Sequence, residues 1–262
     1  MRRVAIVQSN YLPWRGYFDL IASVDEFVLY DDAQYTRRDW RNRNAIKTPQ
    51  GTAWLTVPVR AKGRFTQTIR ETEIDGDAWR AAHWKSIRQH YARARHAAEA
   101  FAMLAPVFEG PAPTMLSDLN RSLIESVCGY LGIRTALSTS AGMDLPEGRT
   151  AKLVALCRRA GATTYVSGPA ARDYLDEAEF RAAGIEVEWF GYEGYPEYPQ
   201  LWGAFEPHVS VIDLIANCGP RSAACAGRAS PSPPCSSGVR PPPMRWPRPA
   251  TPWRCRRRPR SS

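Results

Sequence analysis

The sequence predicts an α/β domain, a mostly parallel sheet with a helical middle segment, followed by a C-terminal tail of different character. Three observations predict it. Short β-branched apolar runs alternate with stretches of helical spacing along residues 3–190, the alternation that builds parallel sheets. The opening strand, helix and strand fit within residues 3–30, and such a unit is a right-handed βαβ crossover with a parallel pair. Residues 77–131 are helical in pattern for most of their length, which sets a helical block between two groups of strands.

Residues 3–8 (RVAIVQ) form the first strand, Asn10-Tyr11-Leu12-Pro13 is turn chemistry, and residues 16–22 place apolar side chains at helical spacing. Residues 25–30 (DEFVLY) are the second strand. Residues 34–44 read as a loop. Residues 52–59 are a third strand, and Pro58 sets it at an edge or a strand end. Residues 77–104 read as a helix pair opened by Asp77 as N-cap and free of Pro and Gly. Residues 116–131 continue the helical layer and stop at Gly132. Residues 150–160 are a helix ending at Gly161, 163–167 (TTYVS) a strand running into Gly168-Pro169, 180–184 a short helix and 185–190 a strand. No internal repeat is visible.

The formal charge of +9 over 262 residues is carried by the end of the chain. Residues 219–262 hold ten Arg and no Lys, Asp or Glu, which leaves residues 1–218 one charge below neutral. A pI of 9.5 would otherwise point to nucleic acid or a membrane surface. Here the basicity belongs to the tail, so no specific nucleic-acid partner is expected. The tail also holds eleven of the 22 prolines and lacks Leu, Ile, Phe and Tyr. Such a segment cannot offset the entropy of ordering and is expected to be disordered beyond residue 218. It reads either as a solvated basic arm or as G+C-rich coding sequence translated in the wrong frame, since Arg, Pro, Ala, Ser, Cys and Gly without Lys is what such a shift yields. The six cysteines make no C-x-x-C pair and have no His at ligand spacing, so no metal site is expected. Residues 4–7 are too short for a signal-peptide core and no run approaches membrane-spanning length. The expectation is a cytoplasmic protein without membrane insertion.

Ligands of parallel sheets lie beyond the carboxyl ends of the strands, here residues 8–11 and 30–34. Residues 34–44 (QYTRRDWRNRN) set Arg37, Arg38, Arg41 and Arg43 around Trp40, with Asn42 and Asn44, directly after Asp31-Asp32. Guanidinium forks and amides in that density can bind phosphate or carboxylate; the same run also reads as a solvated loop whose arginines pair with Asp31, Asp32 and Asp39. Tyr11, Trp14, Tyr17 and Tyr30 bring aromatics to the same end, as core or as a stacking surface for a base or sugar. Ser167-Gly168 follows a strand and offers a turn or an anion cradle. His83, His90 and His96 are helical and assigned no metal. There is no G-x-S-x-G, P-loop or dinucleotide-binding glycine pattern.

These residues resemble the WbqC-like family. Residues 8–18 (QSNYLPWRGYF) and the following LIASVDEFVLYDDAQYTRRDWRNRN match its Q-x-x-Y-x-P-x-x-G-Y-F opening and its Y-D-D-x-Q-[FY] and N-R-N segments. The likeness continues through residues 79–91, Tyr165-Val166-Ser167-Gly168, Asp173-Tyr174-Leu175-Asp176, Tyr198-Pro199-Gln200 and residues 210–214, covering about residues 3–218. The resemblance implies a cytoplasmic role in making or decorating sugar precursors of O-antigen and other surface polysaccharides. A weaker likeness to HIGH-motif nucleotidyltransferases would imply ATP or another nucleotide, but Trp14 and Tyr17 stand where the phosphate-contacting histidines would be and no K-M-S-K-S-like segment follows.

The resulting expectation is a transferase or ligase moving a small acyl or aminoacyl group onto a sugar or nucleotide-sugar precursor. Asp31 or Asp32 would be the base or metal-facing carboxylate. Arg38 and Arg43 would hold phosphate or carboxylate, and Gln8, Tyr11, Gln34 and Asn44 would orient the substrate. Gly16, Tyr17, Trp40, Asn42, Ser167, Gly168 and Tyr174 complete the expected binding set. Strand alternation makes Asp31 the less solvated carboxylate and leaves Asp32 to hold an arginine of the following loop. The rival expectation is a non-catalytic module that binds a nucleotide sugar or a partner enzyme. No oligomeric state is assigned.

Overall fold

The structure is a computed structural model and describes residues 1–219 and Ser222. The first strand, β1 (Arg3–Val7), leads through α1 (Arg15–Ala22) to β2 (Glu26–Leu29). An antiparallel hairpin of β3 (Arg43–Thr48) and β4 (Gly51–Thr56) comes next. The helical block is α2 (Ala78–Tyr91), α3 (Ala97–Glu109) and α4 (Leu116–Leu131). The chain then re-enters the sheet as β5 (Ala136–Thr139), α5 (Arg149–Arg159), β6 (Thr164–Ser167), a 3₁₀ turn at Pro169–Asp173, α6 (Glu177–Ala182) and β7 (Glu186–Trp189), and α7 (Val211–Cys218) follows.

The main sheet has five strands in the order β5-β2-β1-β6-β7. Every pairing in it is parallel. The chain moves from β1 outward to β2 and β5, crosses back over β1, and continues on the other side to β6 and β7. Strand order therefore reverses between β1 and β6. The central strands are buried on both faces, as parallel strands must be when helices cover each side. Ala5, Phe27 and Leu29 point into the larger core with α1, α2, α3, α4 and α7. Val4, Ile6 and Val28 point into the smaller one with Leu153, Leu156 and Phe180 of α5 and α6.

Several elements depart from the sequence expectation. The expected loop 34–44 gives up its last residues to β3, which pairs in register with β4. Pro58 lies past the end of β4, where its missing N–H costs no ladder bond. The expected helix pair at 77–104 breaks at Ala92–His96 without any Pro or Gly, because the His96 N–H leaves the helical ladder to bond the Ala216 carbonyl of α7 at 2.8 Å. Its second member runs through Pro106 to Glu109. Asp77 occupies the N-cap position of α2, but its side chain caps nothing. β5 had no sequence signal, being a short half-exposed edge strand. Gly132 does end α4 in the left-handed conformation, with φ 69°.

The expected disordered tail lies outside the described residues except at two positions. Gly219 and Ser222 are buried, and the Ser222 hydroxyl donates to the Leu214 carbonyl at 3.3 Å. Among the described residues no helix is long and apolar enough to cross a membrane.

Candidate functional site

The reversal of strand order between β1 and β6 makes a crevice at their carboxyl ends, the place where open parallel sheets take ligands. Residues 8–14 form its β1 side. Their path is held from below: the Tyr11 N–H donates to the Trp40 carbonyl at 3.0 Å. The buried Asn44 amide donates to the Leu12 carbonyl at 2.6 Å and to that of Tyr11 at 3.3 Å. Leu12 is thereby kept at φ 45°, a conformation costing a non-glycine residue ~1–3 kcal/mol. Tyr11 itself is a core pillar, fully buried, with its hydroxyl 2.9 Å from His83 Nδ1. Tyr17 is also buried and donates its hydroxyl to the Gln8 carbonyl at 3.1 Å. Arg41 donates to Asn10 Oδ1 and to the carbonyls of Gln8 and Ser9. Gly16 is needed at its position because a Cβ there would come within 2.4 Å of the Trp14 ring. Trp14 can therefore fold over the first turn of α1 and meet Tyr192 and Tyr195, ring centroids 5.5 and 5.6 Å away.

The two carboxylates diverge as strand alternation requires. Asp31 is 4% exposed; its Oδ1 accepts the Ser9 N–H at 2.8 Å and its Oδ2 accepts the Ser117 hydroxyl of α4. Asn120, one helical turn on and fully buried, donates to Ser9 Oγ at 3.0 Å and to the Arg41 carbonyl at 2.9 Å. Its own Oδ1 is buried without a hydrogen-bond partner among the described residues. Asp32 keeps 19% of its side chain exposed and accepts Arg70 Nε at 2.8 Å and the Ser140 hydroxyl that follows β5. The arginine that Asp32 holds thus comes from residue 70, not from the 34–44 loop.

That loop splits into braces and, among the described residues, one unpaired cation. Asn42 donates to the Val57 carbonyl at 2.8 Å, Gln34 to that of Phe65 at 2.6 Å and Arg37 to that of Ala61 at 2.6 Å. Arg43 lies 4.4 Å over the Trp54 ring, beside Trp40, and donates to the Arg38 carbonyl at 2.6 Å. Arg38 is left-handed at φ 58°, and its guanidinium has no partner among the described residues. On the β6 side, Ser167 is buried and a Cβ at Gly168 would touch the Tyr192 ring at 3.4 Å. Tyr174 stands farther along that segment, beyond the 3₁₀ turn.

Gln8, Tyr17 and Asp31 therefore join one connected set with Ser9, Asn10, Arg41, Ser117 and Asn120, not all of which were expected site residues. Ser117 and Asn120 sit three apart on one face of α4, a spacing visible in the sequence but without meaning until α4 is docked. Asn44 and Asn42 support the set from outside it.

A second polar cluster was not expected at all. Asp213 of α7, fully buried, accepts the Tyr91 hydroxyl at 3.0 Å, and burial pushes its carboxyl up to about 6. Lys47, on β3, is also buried and donates to Gln200 Oε1 at 2.8 Å and to the Ala204 carbonyl. Arg15 donates to the Pro196 carbonyl at 2.6 Å and lies 5.2 Å over the Tyr198 ring. These contacts tie the segment after β7 to α1, β3 and α7. Among the described residues no group of three or more His, Cys, Asp or Glu is placed to hold a metal ion.

Comparison with known proteins agrees with the motifs. The chain is 58% identical over 219 residues to "Uncharacterized protein Rv1507c" of Mycobacterium tuberculosis (strain ATCC 25618 / H37Rv), covering 84% of this chain and 95% of that protein. No solved structure matches the chain. Residues 8–225 match the model of the WbqC-like protein family, and the chain belongs to that family.

Proposed function

We propose that the protein binds a nucleotide-activated sugar in the β1–β6 crevice and acts on it as a transferase or ligase of O-antigen-type surface-polysaccharide assembly. The observation that carries this reading is the reversal of strand order at β1 and β6, with Gln8–Asn10 and Ser167–Gly168 at the two strand ends and the Trp14 and Tyr192 rings beside them. The polysaccharide assignment rests on the gene sets with which the family resemblance is associated. In this reading Arg38 is the cation available to a phosphate, and Arg43 shapes its loop. Asp31, almost fully buried, serves by fixing Ser9. Asp32, partly open, is the carboxylate that can meet an acceptor hydroxyl or amine. No cofactor is assigned.

A specific observation favours a second reading, a non-catalytic nucleotide-sugar or partner-binding module: Asp32 also has both oxygens engaged, by Arg70 and Ser140. Calorimetry with nucleotide sugars, followed by mass spectrometry of mixtures with acyl donors, separates the two. The enzyme reading expects Asp32→Asn to keep affinity within about threefold and to lower turnover ~100-fold or more. Binding without turnover in the unaltered protein would establish the module. Absence of binding by any nucleotide sugar would overturn both.

A further inference from the structure

Among the described residues, a shallow, open surface groove is lined by Arg172, Asp173, Tyr174, Asp176, Glu177 and Arg181. We propose that this groove binds a pyranose ring, neutral or amino-bearing, and is the sugar subsite of the protein. The inference rests on the reading above in taking an activated sugar as the ligand.

The first support is an aromatic surface. Tyr174 is 47% exposed, one of few large apolar side chains left open among the described residues. It is nevertheless held, because the Arg149 guanidinium lies 4.7 Å from its ring centroid. A ring braced by a guanidinium and nearly half exposed offers apolar surface to the C–H face of a sugar.

The second is the polar rim. Asp176 is committed to the Ala178 N–H at 2.8 Å, and Glu177 to Trp189 Nε1 at 3.2 Å. Asp173 has no partner among the described residues, so its acceptors face solvent beside Tyr174. Arg172 is fixed by stacking 5.1 Å over the Trp189 ring, which leaves its N–H edges for donation. A free carboxylate beside a fixed guanidinium offers acceptors and donors to neighbouring hydroxyls.

The third is charge. Three carboxylates against Arg172, Arg181 and the Arg149 that lies over Tyr174 leave the site without net charge, which suits a neutral ring, with Asp173 as the acceptor for an amino group. The groove would thus complement the crevice instead of duplicating it. The two are also close along the chain: Gly168 lies at the crevice, where an added Cβ would meet the Tyr192 ring, and the 3₁₀ turn Pro169–Asp173 separates it from Tyr174. The turn is five residues long, so the groove and the β6 side of the crevice belong to one short segment.

Ligand-observed saturation-transfer NMR on the full chain tests this with methyl glucoside, glucosamine and UDP as separate probes. Tyr174→Ala should weaken both saccharides about fivefold or more, and Tyr174→Phe should leave them within twofold. Asp173→Asn should weaken glucosamine more than methyl glucoside. UDP should be unaffected by all of these. No transfer to either saccharide from the unaltered protein, or equal binding by Tyr174→Ala, would overturn the proposal. Loss of UDP binding alone would refute the crevice and leave the groove standing.

Discussion

Asp213→Asn and His83→Gln should tilt the pH dependence of stability in opposite directions. Asp213 is enclosed where α7 meets β3 and α2, and burial raises its carboxyl from 3.8 to about 6 against the pull of bonds from Tyr91 and Tyr198 and the charge of Lys47. A raised carboxyl holds its proton more tightly in the folded chain. Its contribution is therefore full below pH 3.8 and is lost as pH rises through about 6. The displacement is worth ~3 kcal/mol. His83 does the reverse. Burial lowers it from 6.5 to about 4, opposed by its hydrogen bond to the Thr56 backbone. Folding then favours the neutral ring, and stability is gained as pH rises from about 4 to 6.5, again by ~3 kcal/mol. The two nearly cancel in the unaltered chain. Urea unfolding at pH 4 and pH 7 measures the difference, provided that the denaturant slope is unchanged. For Asp213→Asn the gain from pH 4 to pH 7 should exceed that of the unaltered chain by ~3 kcal/mol, and for His83→Gln it should fall short by a similar amount. Profiles parallel to the unaltered chain within ~1 kcal/mol for both variants would refute the reasoning.

Gly16→Ala drives a Cβ into the Trp14 ring and should cost ~1–3 kcal/mol in urea unfolding, with weaker nucleotide-sugar binding as Trp14 moves off α1. Asn44→Ala removes both donors that hold residues 11–12 and should cost ~2–3 kcal/mol by the same measurement, while leaving two buried carbonyls unpaired. The Cys128 and Cys157 thiols, both pushed up by burial to about 12, should resist alkylation at pH 8 until the chain unfolds, as read by peptide mapping.

The sheet was legible where burial on both faces leaves a continuous apolar run. Residues 4–7 and 27–29 are such runs, and the strands found there lie within a residue or two of the expected bounds. β5 was not legible because an edge strand of Ala, Leu, Ser and Thr needs little apolar surface. β3 was hidden for another reason: Arg43 and Lys47 make it look like a charged loop, and Lys47 is buried only because Gln200 and Ala204, far along the chain, receive its ammonium. The site divides the same way. The carboxyl ends of the strands pointed to Gln8, Tyr17 and Asp31. Ser117 and Asn120 come from a helix some hundred residues away, so no local pattern could place them. The amides of Gln34, Asn42 and Asn44 have the same chemistry whether they grip a ligand or a backbone carbonyl, and here each holds a carbonyl.

Hydrogen–deuterium exchange with and without UDP-glucose tests most directly whether the β1–β6 crevice is where an activated sugar binds. Slowed exchange is expected in residues 8–14 and 167–174 and in the segment carrying Tyr192 and Tyr195, with the β3–β4 hairpin unchanged. No slowing at residues 8–14 at a saturating concentration of the nucleotide sugar, or slowing confined to the hairpin, would contradict it.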